Sequence, residues 1–312
     1  MWYYNIEDSL NMYVLQTNCW EEYNEYIEVT TQKDHSQHIF ENLRDTFDIA
    51  KVEPIDVWWD GKYFIVDNGV HRLALLKYFG HITDRFPLRL LNIRIPEDVQ
   101  TQIGNVLQGT VGGNLLYNGW HNRTSYGYHS FNIGTMSFVG QRNPVKRLEK
   151  MRKVYSFAGK KVLDLGSNTG GMLFHCFEMD SGVGLEYDER CVKGAKEIAS
   201  RLGFLPQTTF DVCNLDTDSV KEKLPKEWKP DCILLLSMGS WLKSWRAVYQ
   251  QALDLKPEAI WLETNNVQEG QAQLAFFGAT DWLIEKISNQ SEDDSTGNYG
   301  RSLYFIRRIV EE

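Results

Sequence analysis

The chain has 312 residues, of which 33 are Lys or Arg and 42 are Asp or Glu, so its formal net charge is −9. This length favours two domains, and a hydrophobic content of 42% with 24% charged residues excludes a wholly disordered chain. This acidic net charge is not typical of nucleic-acid-binding proteins, which usually carry a basic surface.

Three further classes are disfavoured. No apolar run approaches the roughly 18 residues of a membrane span, so we expect no membrane partner. The first residues lack the basic and apolar regions of a signal peptide. The 5 cysteines include no C-x-x-C pair, which argues against disulfides and thiolate zinc sites. We therefore predict a cytoplasmic protein without a metal site, whose oligomeric state the sequence does not indicate.

Residues 39–95 have the pattern of a small α+β domain. Residues 54–59 and 63–66 are predicted strands joined by an Asp60-Gly61 turn, and residues 71–79 have apolar side chains at helical spacing. Residues 104–140 differ, because glycines alternate there with aromatic residues, which is typical of a connecting or ligand-facing segment. We place the domains at 1–110 and 141–312, with residues 111–140 between them.

From residue 141 onward, helical and strand patterns alternate, which predicts a doubly wound parallel α/β sheet. The predicted strands are 161–165, 182–185, 208–211, 232–236 and 259–262. The predicted helices are 142–153, 172–178, 189–202, 217–224 and 241–255. Two last strands, 282–287 and 302–306, are predicted to form an antiparallel hairpin around a polar loop at 288–300.

A glycine-rich turn follows the first of these strands, at residues 162–170 (Val-Leu-Asp-Leu-Gly-Ser-Asn-Thr-Gly). Such a turn is shared by several classes of nucleotide-binding protein. Asp164 narrows the choice, because a carboxylate there would repel a pyrophosphate but would suit a cationic ligand. Glu186 ends the second strand, 20 residues after Gly166, where a carboxylate can accept both hydroxyls of a ribose.

With these motifs, residues 141–312 resemble class I S-adenosylmethionine-dependent methyltransferases. The resemblance implies a Rossmann-like seven-stranded sheet with an antiparallel last strand pair, and S-adenosyl-L-methionine as cofactor. It places Asp164 at the methionine amino group, Glu186 at the ribose and Asp211 at the adenine. The implied cofactor-binding residues are Arg142, Asp164, Gly166, Ser167, Asn168, Thr169, Gly170, Glu186, Tyr187, Asp211, Val212, Ser237 and Trp241.

The methyl acceptor is approached by elimination. The fourth-strand motif, residues 235–241, lacks the Asn/Asp-Pro-Pro-aromatic sequence of amino-group methylases and the Pro-Cys pair of a thiolate-adduct route. No carboxylate follows Leu236, which disfavours a magnesium-dependent catechol-type site. We therefore predict O-methylation of a small molecule or glycan hydroxyl. The alternatives are an RNA methyltransferase, acting on tRNA or RNA ends, and a nucleotide- or cofactor-binding protein without turnover.

Residues 120–131 are the predicted acceptor side. His121 and His129 are the candidate bases because histidine titrates near neutral pH; the alternative is that both have structural hydrogen bonds. The candidate substrate-binding residues of this segment are Trp120, Arg123, Tyr126 and Tyr128. The basic run that follows Arg142 either holds phosphate or forms the solvated face of a helix.

Residues 54–74 resemble the ParB/sulfiredoxin fold, in which a Gly-x-His-Arg turn opens a helix and binds nucleotide phosphates. Here His71 and Arg72 occupy that turn, and we include both among the substrate-binding residues. Val70 stands where a sulfiredoxin carries its reactive cysteine, which excludes that redox chemistry. The ParB-like domain is expected to bind a nucleotide or shape the acceptor site; the alternative is that Arg72 pairs locally.

Overall fold

The computed structural model describes residues 15, 16, 20, 21, 24, 37–59, 64–81, 88–111, 126–203, 207–290 and 299–308. The chain divides into two compact units, Met1–Pro96 and Glu97–Glu312. Among the helices in these described residues, none is both long and apolar enough to cross a bilayer.

The first unit is a small α+β domain, as the sequence predicts. Its elements are α1 (Gln37–Asp45), β1 (Ile55–Trp59), β2 (Phe64–Asn68), α2 (Val70–Tyr78) and β3 (Leu88–Ile93). The strands form a sheet in the order β2-β1-β3, with β1 antiparallel to β2 and parallel to β3. The two predicted strands and the predicted helix are confirmed, whereas the Asp60-Gly61 turn lies outside the described residues.

The second unit contains the predicted α/β alternation. It begins with α3 (Glu97–Val111), the hairpin β4 (Phe131–Ile133) and β5 (Met136–Phe138), and α4 (Pro144–Met151). The alternating part consists of β6 (Lys161–Leu165), α5 (Gly171–Phe174), β7 (Ser181–Glu186), α6 (Glu189–Arg201), β8 (Gln207–Val212), α7 (Val220–Lys223), β9 (Cys232–Leu236), α8 (Trp245–Asp254), β10 (Ala259–Glu263), α9 (Val267–Gly278), β11 (Trp282–Gln290) and β12 (Tyr299–Arg308).

The seven-stranded sheet has the order β11-β12-β10-β9-β6-β7-β8. Strands β8, β7, β6, β9 and β10 are parallel neighbours, while β12 inserts antiparallel between β10 and β11. The predicted doubly wound sheet with an antiparallel last pair is confirmed. Its central strands are buried on both faces, which explains why they are continuous apolar runs.

The boundary between the units differs from the one placed at residue 110. Helix α3 belongs to the second unit because it packs on α6: a Cβ atom placed on Gly194 would lie 3.0 Å from Thr110. The buried residues Ile103, Leu107 and Thr110 share one face of this helix. The glycine pattern of residues 104–140 thus concealed a helix, and it also concealed the β4–β5 hairpin. Helix α9 was not predicted either.

Candidate cofactor and acceptor site

The turn after β6 requires left-handed backbone at three of five positions. Gly166, Asn168 and Gly170 have φ angles of 74°, 51° and 79°, which glycine adopts freely and asparagine more readily than most residues. A Cβ atom on Gly170 would also lie 2.6 Å from the ring of Phe210. Gly166 and Ser167 donate their N–H groups to the carbonyl of Leu185, at 2.8 and 3.2 Å, so the turn is fixed to the end of β7.

Glu186, at the end of β7, is held beside this turn by backbone donors. Its Oε2 atom accepts the N–H of Asn168 at 2.8 Å, and its Oε1 atom accepts the N–H of Asp188 at 2.9 Å. Burial nevertheless raises the pKa of the Glu186 carboxyl above its usual value. Each carboxylate oxygen can accept more than one hydrogen bond, so the group is oriented and still able to accept two hydroxyl donors.

Asp164 lies on β6, next to Glu186's strand, in a very different environment. The residue is 2% exposed, and its Oδ2 atom has no hydrogen-bond partner among the described residues. Burial raises the pKa of Asp164 to about 8. The negative charge of Glu186 adds to this rise, and the positive charge of Arg147 opposes it. A buried carboxyl without a partner favours its neutral form, and a cation placed against it would restore the ionised form.

Two hydroxyls of the same turn share this condition. The Oγ atom of Ser167 and the Oγ1 atom of Thr169 are buried and have no partner among the described residues. Buried polar atoms are normally hydrogen-bonded. A polar ligand that carries a positive charge would supply hydrogen-bond partners for these atoms of Asp164, Ser167 and Thr169.

The end of β9 is held by the end of β10. Ser237 has a left-handed φ of 55°, and its Oγ atom is hydrogen-bonded to the carboxylate of Glu263. The N–H of Ser237 donates to the carbonyl of Glu263 at 2.8 Å, and its own carbonyl accepts the side-chain amide of Asn265 at 2.8 Å. Three contacts from a neighbouring strand thus maintain a backbone conformation that serine rarely adopts.

Glu263 is in turn paired with Arg147 of α4. The Nη2 atom of Arg147 lies 3.0 Å from Oε1 and 2.9 Å from Oε2 of Glu263, and both side chains are 1% exposed. One residue of the basic run, Arg147, therefore forms a buried ion pair. Arg147 neither lies on a solvated helix face nor is available for phosphate, the two roles considered for the run. Its spacing from the buried Leu148 and Met151 on the helix could have indicated this.

Two parts of the segment before α4 are held together by backbone and side-chain hydrogen bonds. His129 and Arg142 form a parallel β-bridge, and Arg142 donates its N–H to the carbonyl of Tyr128 at 2.7 Å. The buried Arg142 side chain donates from Nε to the Tyr128 hydroxyl at 3.3 Å. The structure thus brings together three of the predicted site residues. His121, Trp120 and Arg123 lie outside the described residues.

His129 reaches the turn itself. Its side chain is 4% exposed, and a Cβ atom on Gly171 would lie 2.5 Å from its Cγ atom. Its Nδ1 atom has no partner among the described residues. Burial, together with the positive charge of Arg147, holds the pKa of His129 well below its usual value, so the ring is neutral at physiological pH.

His175, which the sequence analysis did not single out, locks the β4–β5 hairpin onto α5. Its Nε2 atom accepts the N–H of Asn132 at 3.0 Å, so Nδ1 carries the proton and donates to the carbonyl of Gly171 at 2.6 Å. Burial lowers the pKa of His175 to about 4. This histidine is therefore a structural one, and no local sequence signal distinguishes it.

The predicted adenine-side residues lie at the surface. Glu186 pairs in register with Val212, and Leu185 pairs with Asp211. Asp211 is exposed and accepts the N–H of Val212 at 2.9 Å. The side chain of Tyr187 is 70% exposed, and that of Trp241, a cofactor-binding residue predicted from the fourth-strand motif, is 64% exposed. The structure places Glu186, Asp211 and Val212 on adjacent strand ends.

The predicted phosphate-binding pair of the first unit has local contacts. His71 is buried and stacks on Phe40, with ring centroids 4.4 Å apart. Arg72 donates from Nη1 to the carbonyl of Pro54 at 2.9 Å, and the same atom lies 3.6 Å from a carboxylate oxygen of Glu53. The local pairing foreseen as the alternative for Arg72 is present, and anion binding by the pair stays a prediction.

Comparison with solved structures finds proteins of related fold. EvdMO1 is 13% identical, with 69% of this chain and 48% of that one covered and a TM-score of 0.48, so the chain spans about half of it. The N-terminal domain of EvdMO1, determined in the presence of SAH and D-fucose, is 13% identical over 68% of this chain and 96% of that one, with a TM-score of 0.46. Magnesium protoporphyrin IX methyltransferase (ChlM) from Synechocystis PCC 6803 with bound SAH is 15% identical over 53% of this chain and 82% of that one, with a TM-score of 0.41.

Comparison with protein-family models and with curated protein sequences finds no match.

The Arg147–Glu263 pair gives a test of how the site is held together. Replacing Arg147 by methionine should lower the free energy of unfolding by about 3–5 kcal/mol, because the buried carboxylate of Glu263 loses its cationic partner. Adding Glu263→Gln should recover part of this loss. Urea denaturation followed by circular dichroism measures both, with the exposed Lys153→Met on the same segment as control, expected within about 0.5 kcal/mol of wild type. Equal stability of Arg147→Met and the control would contradict this role.

Proposed function

We propose that the chain is an S-adenosyl-L-methionine-dependent methyltransferase that methylates a hydroxyl of a small molecule or glycan. The observation that carries the proposal is the pair of carboxylates on either side of the glycine turn. Glu186 is oriented with free accepting capacity, whereas the buried Oδ2 atom of Asp164 has no hydrogen-bond partner among the described residues. The ligand that suits both has hydroxyl donors at one end and a cation at the other.

The residues present fit S-adenosylmethionine better than a dinucleotide. A pyrophosphate over the turn would meet Asp164, and a buried carboxyl next to a phosphate is unfavourable. An ammonium group there would be paired, and Ser167 and Thr169 would gain the partners they lack among the described residues. Glu186 would hold the ribose hydroxyls, and Asp211 and Val212 would lie beside the adenine. When bound, the cofactor supplies a methyl group on a positively charged sulfur.

The protein's own contribution is orientation. Methyl transfer is an in-line displacement, so holding the two reactants in the right geometry provides much of the acceleration. Here the turn is fixed by Leu185 and Glu186, and the strained end of β9 is fixed by Glu263. Rigid elements hold the predicted cofactor-binding residues, which is what precise positioning requires.

The cofactor assignment is tested at Glu186. Replacing it by alanine removes two charge-assisted hydrogen bonds to the ribose, each worth about 1.5–3 kcal/mol. S-adenosylmethionine should therefore bind at least tenfold more weakly, measured by isothermal titration calorimetry. Glu189→Ala, an exposed carboxylate at the start of α6, is the matched control and should bind normally. Thermal melts verify that both variants are folded, and unchanged affinity in Glu186→Ala would refute the assignment.

We propose His129 as the base that takes the proton of the acceptor hydroxyl. Its ring lies against Gly171, the residue that directly follows the glycine turn, and its Nδ1 atom has no partner among the described residues. A neutral imidazole can accept a proton as the new bond forms.

Replacing His129 by glutamine should reduce the rate of methyl transfer by about 10²–10⁴-fold, because the acceptor loses its base. Transfer from labelled cofactor into a glycan fraction measures the rate, and calorimetry measures cofactor affinity, which should not change. His38→Ala, an exposed histidine of α1, is the control. Normal transfer by His129→Gln would show that positioning alone suffices.

RNA remains the second candidate acceptor, and binding without turnover the third possibility. The same labelled-cofactor assay separates them, since counts would enter an RNA fraction in one case and no fraction in the other. The predicted anion site at His71 and Arg72 would favour RNA only if those residues bind phosphate.

A further inference from the structure

A groove of about 400 Å³ lies in the second unit, away from the residues assigned to the cofactor. One wall is a face of α3, and the other is a pair of aromatic rings, Tyr126 and Phe138. The ring centroids are 4.6 Å apart. A Cβ atom on Gly104 would lie 3.1 Å from the Phe138 ring, so the missing side chain lets the aromatic wall approach the helix.

The helix wall is rich in amide groups. Gln100, Asn105 and Gln108 lie along it, and Asn105 and Gln108 are exposed to the groove's solvent side. An amide offers both a donor and an acceptor. A sugar ring needs this combination, because its hydroxyls both donate and accept while its C–H face packs on aromatic rings.

The described residues that line the groove offer no positive charge to a phosphate group. Among the described residues that line it there is no Lys, Arg or His, and there is one carboxylate, Glu97. Binding of RNA depends on cations placed against its phosphates. From these described residues a polyanionic ligand would gain no cationic partner and would meet the carboxylate of Glu97, whereas an uncharged ligand needs no such partner.

The groove lies close to the proposed reaction centre. Tyr126 precedes His129 by three residues, so their Cα atoms are at most about 11 Å apart. Phe138 lies two residues before Gly140. Gly140 packs closely against the carbonyl group of His129. His129 in turn contacts Gly171 at the cofactor turn. The aromatic wall of the groove is thus connected to the proposed base through short stretches of chain, although His129 itself is buried and does not line the groove.

From this geometry we infer that the groove between α3 and the Tyr126–Phe138 pair binds a neutral carbohydrate as the methyl acceptor. The inference rests on the proposed function, because it takes the turn after β6 as the source of the methyl group. Of the acceptor classes, a glycan fits the amides and aromatic rings of the described lining better than an RNA does.

Saturation-transfer NMR on the full chain tests the groove directly. The probes are the methyl glycosides of D-glucose, D-galactose, D-mannose and D-fucose, with a single-stranded oligouridylate as the polyanionic probe. At least one glycoside should bind wild-type protein. The double variant Asn105→Ala/Gln108→Ala should bind it about tenfold more weakly, because two hydrogen bonds are lost. Gln250→Ala, an exposed amide on α8, is the control and should bind normally.

Absence of binding by every glycoside, or undiminished binding in the double variant, overturns the inference, and loss of oligouridylate binding in that variant assigns the groove to RNA. Calorimetry with S-adenosylhomocysteine on the same samples separates the two proposals. Glycoside binding without S-adenosylhomocysteine binding would reject the proposed function but keep a carbohydrate groove, and the reverse would reject only the groove.

Discussion

The buried ion pair between Arg147 and Glu263 is the constraint on which the site depends. Glu263 uses its carboxylate twice, for Arg147 and for the hydroxyl of Ser237, and it thereby maintains the left-handed turn at the end of β9. The charge of Arg147 also acts on Asp164 and on His129. One pair therefore joins α4 to the sheet, and its positive charge adds to the effect of burial on the pKa of His129 and opposes that effect on the pKa of Asp164.

The two carboxylates of that turn show how similar groups acquire different roles. Glu186 receives two backbone N–H groups, which orient it without exhausting its accepting capacity. Asp164 receives none at Oδ2 from the described residues, and its pKa of about 8 reflects the cost of charging it there. Such a carboxyl distinguishes cationic from anionic ligands, because a nearby cation stabilises its ionised form and a nearby anion destabilises that form.

Much of this could be predicted from the sequence, because the relevant signals are local. Apolar runs predicted the strands of the sheet, and Asp164 and Glu186 were identified from their spacing around the glycines. What could not be predicted is pairing over long distances. The contact of Arg147 with Glu263 spans 116 positions, and that of His175 with Asn132 joins two separate elements. Helix α3 was missed for another reason, since its glycines obscured the spacing of its buried residues.

The central claim is that the glycine turn and its two carboxylates bind the methyl-donor cofactor. A crystal structure of the complete chain with S-adenosylhomocysteine tests it most directly. We expect hydrogen bonds from both ribose hydroxyls to Glu186 and from the ligand's amino group to Asp164. A ligand bound elsewhere, or bound at the turn with its amino group away from Asp164, would contradict it.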